Sequence, residues 1–214
     1  MKVDRNYGKP GNMPEAVVQI HNRTRPDGVK VNDGSTNRNP SEISFFDLIR
    51  EDFETHERDF FSQGFWALFW HRFGNLRMGV KTRALRVPLS LTYRVMAKLV
   101  EWMGGIFMPY TVLVGRRVKL EHFGGMILVA DKIGDDVTIR QNTTFGITSV
   151  EAPYARPTIG DGVDIGAGVV IIGDITVGDD VVIGANAVVN KSIPAGVTVG
   201  GIPARIVHTR IAAE

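Results

Sequence analysis

The 214-residue chain carries 25 Lys and Arg against 23 Asp and Glu, a formal charge of +2, so it lacks the basic excess that a nucleic-acid partner calls for. Cysteine is absent, which excludes a disulfide framework and thiolate zinc ligands. A hydrophobic share of 43% gives room for one substantial core, and the 24 glycines, most of them after Gly104, mark a periodic architecture rather than a linker.

Residues 1–40 are rich in Asn, Gly, Pro, Asp and Arg without an apolar period, and are expected to be loosely ordered. The start, MKVDRNYGKP, lacks the apolar run of a signal peptide, and no stretch approaches the roughly 18 apolar residues that span a bilayer. The chain is therefore read as cytoplasmic, with no integral membrane segment. Residues 41–105 form a helical region. SFFDLIREDFETHERDFF has Phe45, Phe46, Ile49 and Phe53 on one face, and Ser44 with Asp47 makes a capping pair. FWALFWHRFGNLRM gives a second helix after Gly64, and LSLTYRVMAKLVEWMGG a third, bounded by Pro88 and closed by Gly104 and Gly105. Their aromatic faces are expected to pack on one another and on a partner subunit. A membrane-surface role for the Trp- and Arg-rich face is a lesser reading.

From Ile106 to residue 207 the period becomes six, and residues 208–214 are a tail. Ile159, Ile165, Ile171, Val177, Ile183 and Val189 recur in register, with glycines following at Gly160, Gly166, Gly178 and Gly184. Upstream the same step links Val114 to Leu120, and Ile127, Ile133, Ile139 and Phe145. Periods of 3.6 or 2.0 cannot produce this. Three short faces and three tight corners can, closing a rung in about eighteen residues with the β-branched residue inward. The fold is a left-handed parallel β-helix, with glycines expected to supply the corner dihedrals. The aspartates at Asp161, Asp164, Asp174, Asp179 and Asp180 read as corner hydrogen-bonding groups rather than a carboxylate array.

Two breaks interrupt the phase. Leu120 to Ile127 is seven residues, with the extra one in EHFGG; Phe145 to Ile159 is fourteen, covering a loop, GITSVEAPYARPT. Interruptions in a solenoid gather on its binding face. His122, in the first break, suits proton transfer from a hydroxyl to a leaving thiolate, and Glu121 beside it is a candidate to hold the imidazole. Arg156 and Tyr154 lie in the loop, where Arg156 can meet a carboxylate or phosphate; Lys191 and Arg205 are placed to meet a nucleotide phosphate. No HxxxH, HExxH or Walker motif occurs. A three-histidine metal site across a subunit interface would have only His122 and His208 in the repeat region to draw on.

VGRRVKLEHFGGMILV, IGDDVTIRQNTTFG, RPTIGDGVDIGAGVVIIGDITVGDDVVIGANAVV and GGIPARIV together resemble the hexapeptide-repeat acyltransferases, in particular the serine O-acetyltransferases, over about half the chain. The resemblance implies a homotrimer, possible as half of a hexamer, with sites between neighbouring coils and acetyl-CoA extended along the groove. It implies no metal. It places the general base on His122 within Glu121-His122-Phe123-Gly124-Gly125, and direct attack of an acceptor hydroxyl on the thioester. Gln141 to Gly146 would line the cleft, and Gly166, Gly184, Ala185, Gly200, Gly201 and Arg205 would border coenzyme A. The family's Arg-His-Pro reads Ala155-Arg156-Pro157 here, its motif aspartate is Glu121, and its orienting acid falls on Phe107. Serine is the first expectation for this small-molecule acceptor, a sugar or sugar-linked hydroxyl the second. A non-enzymatic scaffold is the alternative of another class.

Overall fold

The computed structural model describes residues 34–148 and 154–209. Helix α1 spans Phe45–Thr55, α2 Gln63–Leu76 and α3 Arg83–Gly104. Ser44 caps α1, its hydroxyl accepting from Asp47 N–H at 3.2 Å while donating to the Asp47 carboxylate at 2.6 Å. Gly105, at φ +63, ends α3 in the left-handed conformation. Pro88 lies inside α3 rather than at its start, so the helix begins five residues earlier than the sequence suggests. The loop chemistry before α2 also shifts its start: Ser62 is the cap, and Gly64 sits in the first turn.

Residues 34–40, expected to be loose, are tied down instead. Asn39 Nδ2 donates to the Arg72 carbonyl at 2.9 Å, and Tyr110 reaches the Gly34 carbonyl at 3.3 Å.

From Ile106 the chain winds into a three-sided coil whose sheets hold five, four and six strands. Every pairing is parallel except the last, where Arg205–Thr209 folds back antiparallel on Val197–Gly200. Val114, Ile133, Ile159 and Val177 stack in one sheet at intervals of nineteen, twenty-six and eighteen residues. The regular turn is therefore the last, one turn has a single extra residue, and the third accommodates the long loop. The inward stack is fully buried from Ile133 to Val189. Each such side chain contributes about 1.5–3 kcal/mol of transfer free energy, which holds the narrow coil together.

The first break differs from its sequence reading. Ile127 faces outward, 47% exposed, while Met126 and Leu128 are both buried. Met126 keeps the step of six from Leu120 and pairs below with Ile106; Leu128 pairs above with Phe145. The three-residue strand Met126–Leu128 thus hands the stack from one register to the next, and the extra residue falls between Met126 and Ile133.

The in-phase glycines are also explained differently. A Cβ at Gly160 would stand 2.3 Å from Asp179 Oδ1, one at Gly166 2.6 Å from Ala185 N, and one at Gly178 2.5 Å from Ala195 N. They are glycines because the next rung stacks on them, while left-handed backbone occurs two residues later, at Gly162, Gly168, Asp180 and Asn186. Of the aspartates read as corner groups, Asp161 and Asp179 bond as expected: Asp135 N–H donates to Asp161 Oδ1 at 2.9 Å, and Asp161 N–H to Asp179 Oδ1 at 2.8 Å. Asp164 differs, because it stands in a strand and pairs outward with Arg140.

The helices dock on the first rung through a polar face. Arg72, wholly buried, pairs with Asp52 of α1 at 3.0 Å and donates to the carbonyls of Val114 (2.7 Å) and Gly115 (2.6 Å). His71 Nε2 meets the Val112 carbonyl at 3.0 Å, and Asn75 Nδ2 donates to the Tyr110 carbonyl at 2.9 Å. These bonds satisfy the end of the coil, whose last backbone groups would otherwise lack partners.

Candidate functional site

The helices and the coil meet in a cleft of about 310 Å³ lined by Glu57, Asp59, Ser62 and Gln63 of the α1–α2 connection and by Lys119, Glu121, His122 and Phe123 of the coil. Close packing sets its floor. A Cβ at Gly64 would stand 2.3 Å from the Leu120 carbonyl, so only glycine lets α2 lie this near the strand that precedes His122. His56, buried at the end of α1, accepts from Leu120 N–H at 3.2 Å through Nε2, and Nδ1 meets the Asp52 carbonyl at 2.7 Å. Burial pushes the His56 pKa down, which suits a neutral ring that accepts at one nitrogen and donates at the other.

His122 is exposed and has φ +64. The other left-handed corner residues stack in columns from rung to rung, such as Asn142, Gly168 and Asn186; a Cβ at Gly168 would lie 2.3 Å from Asn186 Oδ1. His122 belongs to no such column. It opens a wider turn that continues through Gly124 (φ +100) and Gly125 (φ +68). Left-handed backbone at a non-glycine residue outside a structural repeat is the kind of local strain found at functional sites. Its ring makes no hydrogen bond or ion pair with any described residue.

Glu121, expected to hold that ring, is engaged elsewhere. Its carboxylate pairs with Lys119 Nζ at 3.1 Å and with Arg140 Nε at 3.1 Å, within an outward ladder that runs from Glu57 through Lys119 to Arg140 and Asp164. Strand alternation explains this, because Lys119 and Glu121 flank the inward Leu120 on one outer face. Hydrogen bonding to Lys119 holds the Glu57 carboxyl below its ordinary range. Asp59 accepts from Phe61 N–H at 2.8 Å through Oδ1, and its Oδ2 has no partner among the described residues. The sequence reading missed Glu57, Asp59, Ser62 and Gln63, which sit about sixty residues before His122 with no shared motif. Phe107, at the family's acid position, is 43% exposed and in register with Ile127.

The remaining candidates fall on two edges of the prism. Gln141, Gly166, Gly184, Ala185, Gly200 and Gly201 share the edge between the six- and five-stranded sheets with His122. Gly146, Tyr154, Arg156 and Lys191 lie on the edge between the five- and four-stranded sheets. Residues 149–153 of the long loop lie outside the described residues. Arg156 N–H donates to the Tyr154 carbonyl at 2.8 Å, Arg205 Nη1 to the Ala204 carbonyl at 2.9 Å, and Lys191 is exposed. Gly166 is half-buried, and the next rung leaves no room for a side chain on it. Gly146 and Gly200 differ: neither has positive φ, and a Cβ on either would meet nothing within 4 Å. Nothing among the described residues requires glycine there. Gln141 Oε1 is buried without a partner.

Among the described residues no group of three His, Cys, Asp or Glu could hold a metal ion, and no helix is long and apolar enough to cross a membrane. His71, one of the histidines, is held near pKa 3 by burial and is spent on the Val112 carbonyl. His208 lies on the exposed closing strand opposite Thr198.

The six-repeat pattern of the bacterial transferase hexapeptide family matches residues 156–191. A serine acetyltransferase of Synechocystis is 38% identical over 146 residues, 68% of this chain and 56% of that protein. The chain spans about half the length of the first curated relatives it matches. Among solved structures, the serine acetyltransferase of Vibrio cholerae superposes with a TM-score of 0.66 at 23% identity, covering 85% of this chain and 79% of the other. That of Brucella abortus in complex with coenzyme A gives 0.61 at 24%, covering 92% and 87%. At these identities the superpositions speak for the fold.

Proposed function

We propose, for a chain whose repeats are those of the hexapeptide transferases and whose sequence is similar to serine acetyltransferases, that the protein moves an acetyl group from acetyl-CoA to an acceptor hydroxyl at His122. The observation that carries the reading is His122 itself: an imidazole without a partner, held in left-handed backbone outside the corner columns, at the mouth of a polar cleft. The His122 ring removes the proton of the acceptor hydroxyl as its oxygen bonds to the thioester carbonyl carbon. The carbon–sulfur bond then breaks, and the imidazolium returns its proton to the departing thiolate. With Glu121 committed to Lys119 and Arg140, Glu57 and Asp59 are the acids of this cleft that each keep an oxygen unpaired among the described residues, and Asp59, which makes no salt bridge with them, is the one we assign to balance the imidazolium.

The two-edge distribution supports a homotrimer with shared sites. One coil offers His122 and Gly200 on its first edge; a neighbour's second edge offers Gly146, Tyr154 and Arg156. Acetyl-CoA as co-substrate fits Gly146 and Gly200, where bare backbone lets a pantetheine arm lie close. L-serine is the first acceptor to test and a sugar hydroxyl the second, since Arg156 offers one cation for a carboxylate where the related loop carries two basic residues.

The test is thiol release from acetyl-CoA by the purified full chain with L-serine and, in parallel, free and nucleotide-linked sugars. Saturable release with acetylated acceptor as product supports the reading. Failure to bind coenzyme A removes it and leaves a scaffold.

A further inference from the structure

An apolar groove of about 450 Å³ runs between α3 on one side and α2 with the end of the α1–α2 connection on the other, walled by Phe60, Phe61, Trp66, Trp70, Leu99 and Met103. That size falls within the roughly 300–1,000 Å³ of small-molecule sites. No charged residue lines it. Several of its walls are open to solvent, with Phe61 84%, Met103 78% and Phe60 58% exposed. The aromatic wall is fixed rather than loose. Phe60 and Trp66 pack edge to face at 5.1 Å, and Trp66 Nε1 donates to the Phe60 carbonyl at 2.8 Å. That bond uses the indole's one polar atom on the wall itself, so the ring turns a face without a donor to the groove.

The groove is not remote from the proposed chemistry. Gln63 lines both it and the His122 cleft. At its end, Gly104 accepts from Gly124 N–H at 3.0 Å and Gly105 from Met126 N–H at 2.9 Å, which ties α3 to the segment that carries His122. The polar cleft and the apolar trough therefore adjoin at one uncharged amide, Gln63. Free serine or a free sugar has nothing to place there.

We propose that the acceptor is amphipathic: a hydroxyl-bearing head in the His122 cleft and an aliphatic body along the groove. This rests on the transferase reading and deepens it by naming the substrate class. Gln63 stands at the junction between head and tail. The chemical step is the one given above, since the tail binds and takes no part in bond making.

The experiment uses two acceptor series, glucosides and N-alkyl-L-serines, the latter keeping the free carboxylate, each with methyl, hexyl and decyl tails below their micelle concentrations. The full chain is assayed for thiol release, and binding of 1-decanol is followed by tryptophan fluorescence. The expected result is a rise of at least tenfold in kcat/KM from methyl to decyl for the head that reacts, together with saturable decanol binding. Met103→Glu and Phe61→Glu, both at exposed positions, should abolish the rise and the decanol binding. Equal kcat/KM across a reacting series overturns the proposal. If no head group reacts, the transferase reading has failed for those heads, and decanol binding alone decides the groove: saturable and lost in Met103→Glu supports it, absent overturns it. A change in assembly mass in Met103→Glu without loss of decanol binding in the wild type's place marks the groove as a contact between copies, and also overturns it.

Discussion

Replacing Arg72 with Met tests how the helices are fastened to the coil. The guanidinium and the Asp52 carboxylate are both wholly buried, 3.0 Å apart, and the same guanidinium caps the carbonyls of Val114 and Gly115. Methionine keeps much of the volume and removes the charge, leaving a buried carboxylate without a counter-ion and two carbonyls without a donor. Removing one member of a buried pair costs about 3–5 kcal/mol, and each orphaned carbonyl adds to the strain on the dock. Burial already pushes the Asp52 carboxyl up against the pull of Arg72. In the variant it is relieved by taking a proton, so the loss should be larger at pH 8 than at pH 5. The assay is urea unfolding at one fixed chain concentration, so that any self-association enters every midpoint equally. Adding Asp52→Leu to the variant should recover most of the loss, as paired apolar replacements commonly do. A loss under about 1 kcal/mol for Arg72→Met, or a double variant as unstable as the single, would show that the pair does not anchor the helices.

His122→Ala should lower acetyl transfer roughly 10²-fold or more with unchanged assembly mass; wild-type turnover would remove it from the mechanism. Gly200→Ala, whose Cβ meets no described residue within 4 Å, should leave the melting point in place and raise the KM for acetyl-CoA severalfold, and an unchanged KM would clear that edge of coenzyme A. Between pH 6.5 and about 3 the unfolded chain takes up a proton that buried His71 refuses. Its contribution is thus complete above pH 6.5 and is lost as pH falls toward 3, at up to about 1.4 kcal/mol per pH unit. His71→Gln should flatten the acid limb of stability measured by urea unfolding, and an unaltered slope would contradict the assignment.

The repeating half of the molecule was readable because its information is local. Ile159, Ile165 and Ile171 recur at a spacing that only a three-sided coil buries, and Ser44 and Gly105 announce helix ends within a few residues. What escaped depends on residues far apart in the chain. Arg72 meets Asp52 twenty residues before it and Val114 forty-two after it, and nothing in the local pattern of an amphipathic helix marks it as the anchor. The same holds for Asp59 and Gln63 beside His122. Glu121 looked like the imidazole's partner because it is adjacent, yet alternation along a strand turns neighbours to different sides. Met126 was passed over for Ile127 because a count in sixes cannot see a strand that buries two residues. The in-phase glycines were placed correctly and explained by the wrong constraint, since contact between rungs leaves no trace in a single repeat.

The antiparallel return of Arg205–Thr209 has a consequence for how the molecule stays finite. A coil of parallel strands ends in a row of unpaired amides and carbonyls that would accept another coil of the same pitch, end on end. Here the outermost strand of the largest sheet runs the other way, with a register shift between Thr198 and Val199, and carries Arg205 and His208 on exposed backbone. A second coil arriving in parallel finds the wrong hydrogen-bond spacing, a local twist and a fixed charge. At the opposite end α2 already occupies the carbonyls of Val112, Val114 and Gly115. The last strand of the six-stranded sheet and the first carbonyls of the coil are thus both closed to the end-on addition of another coil.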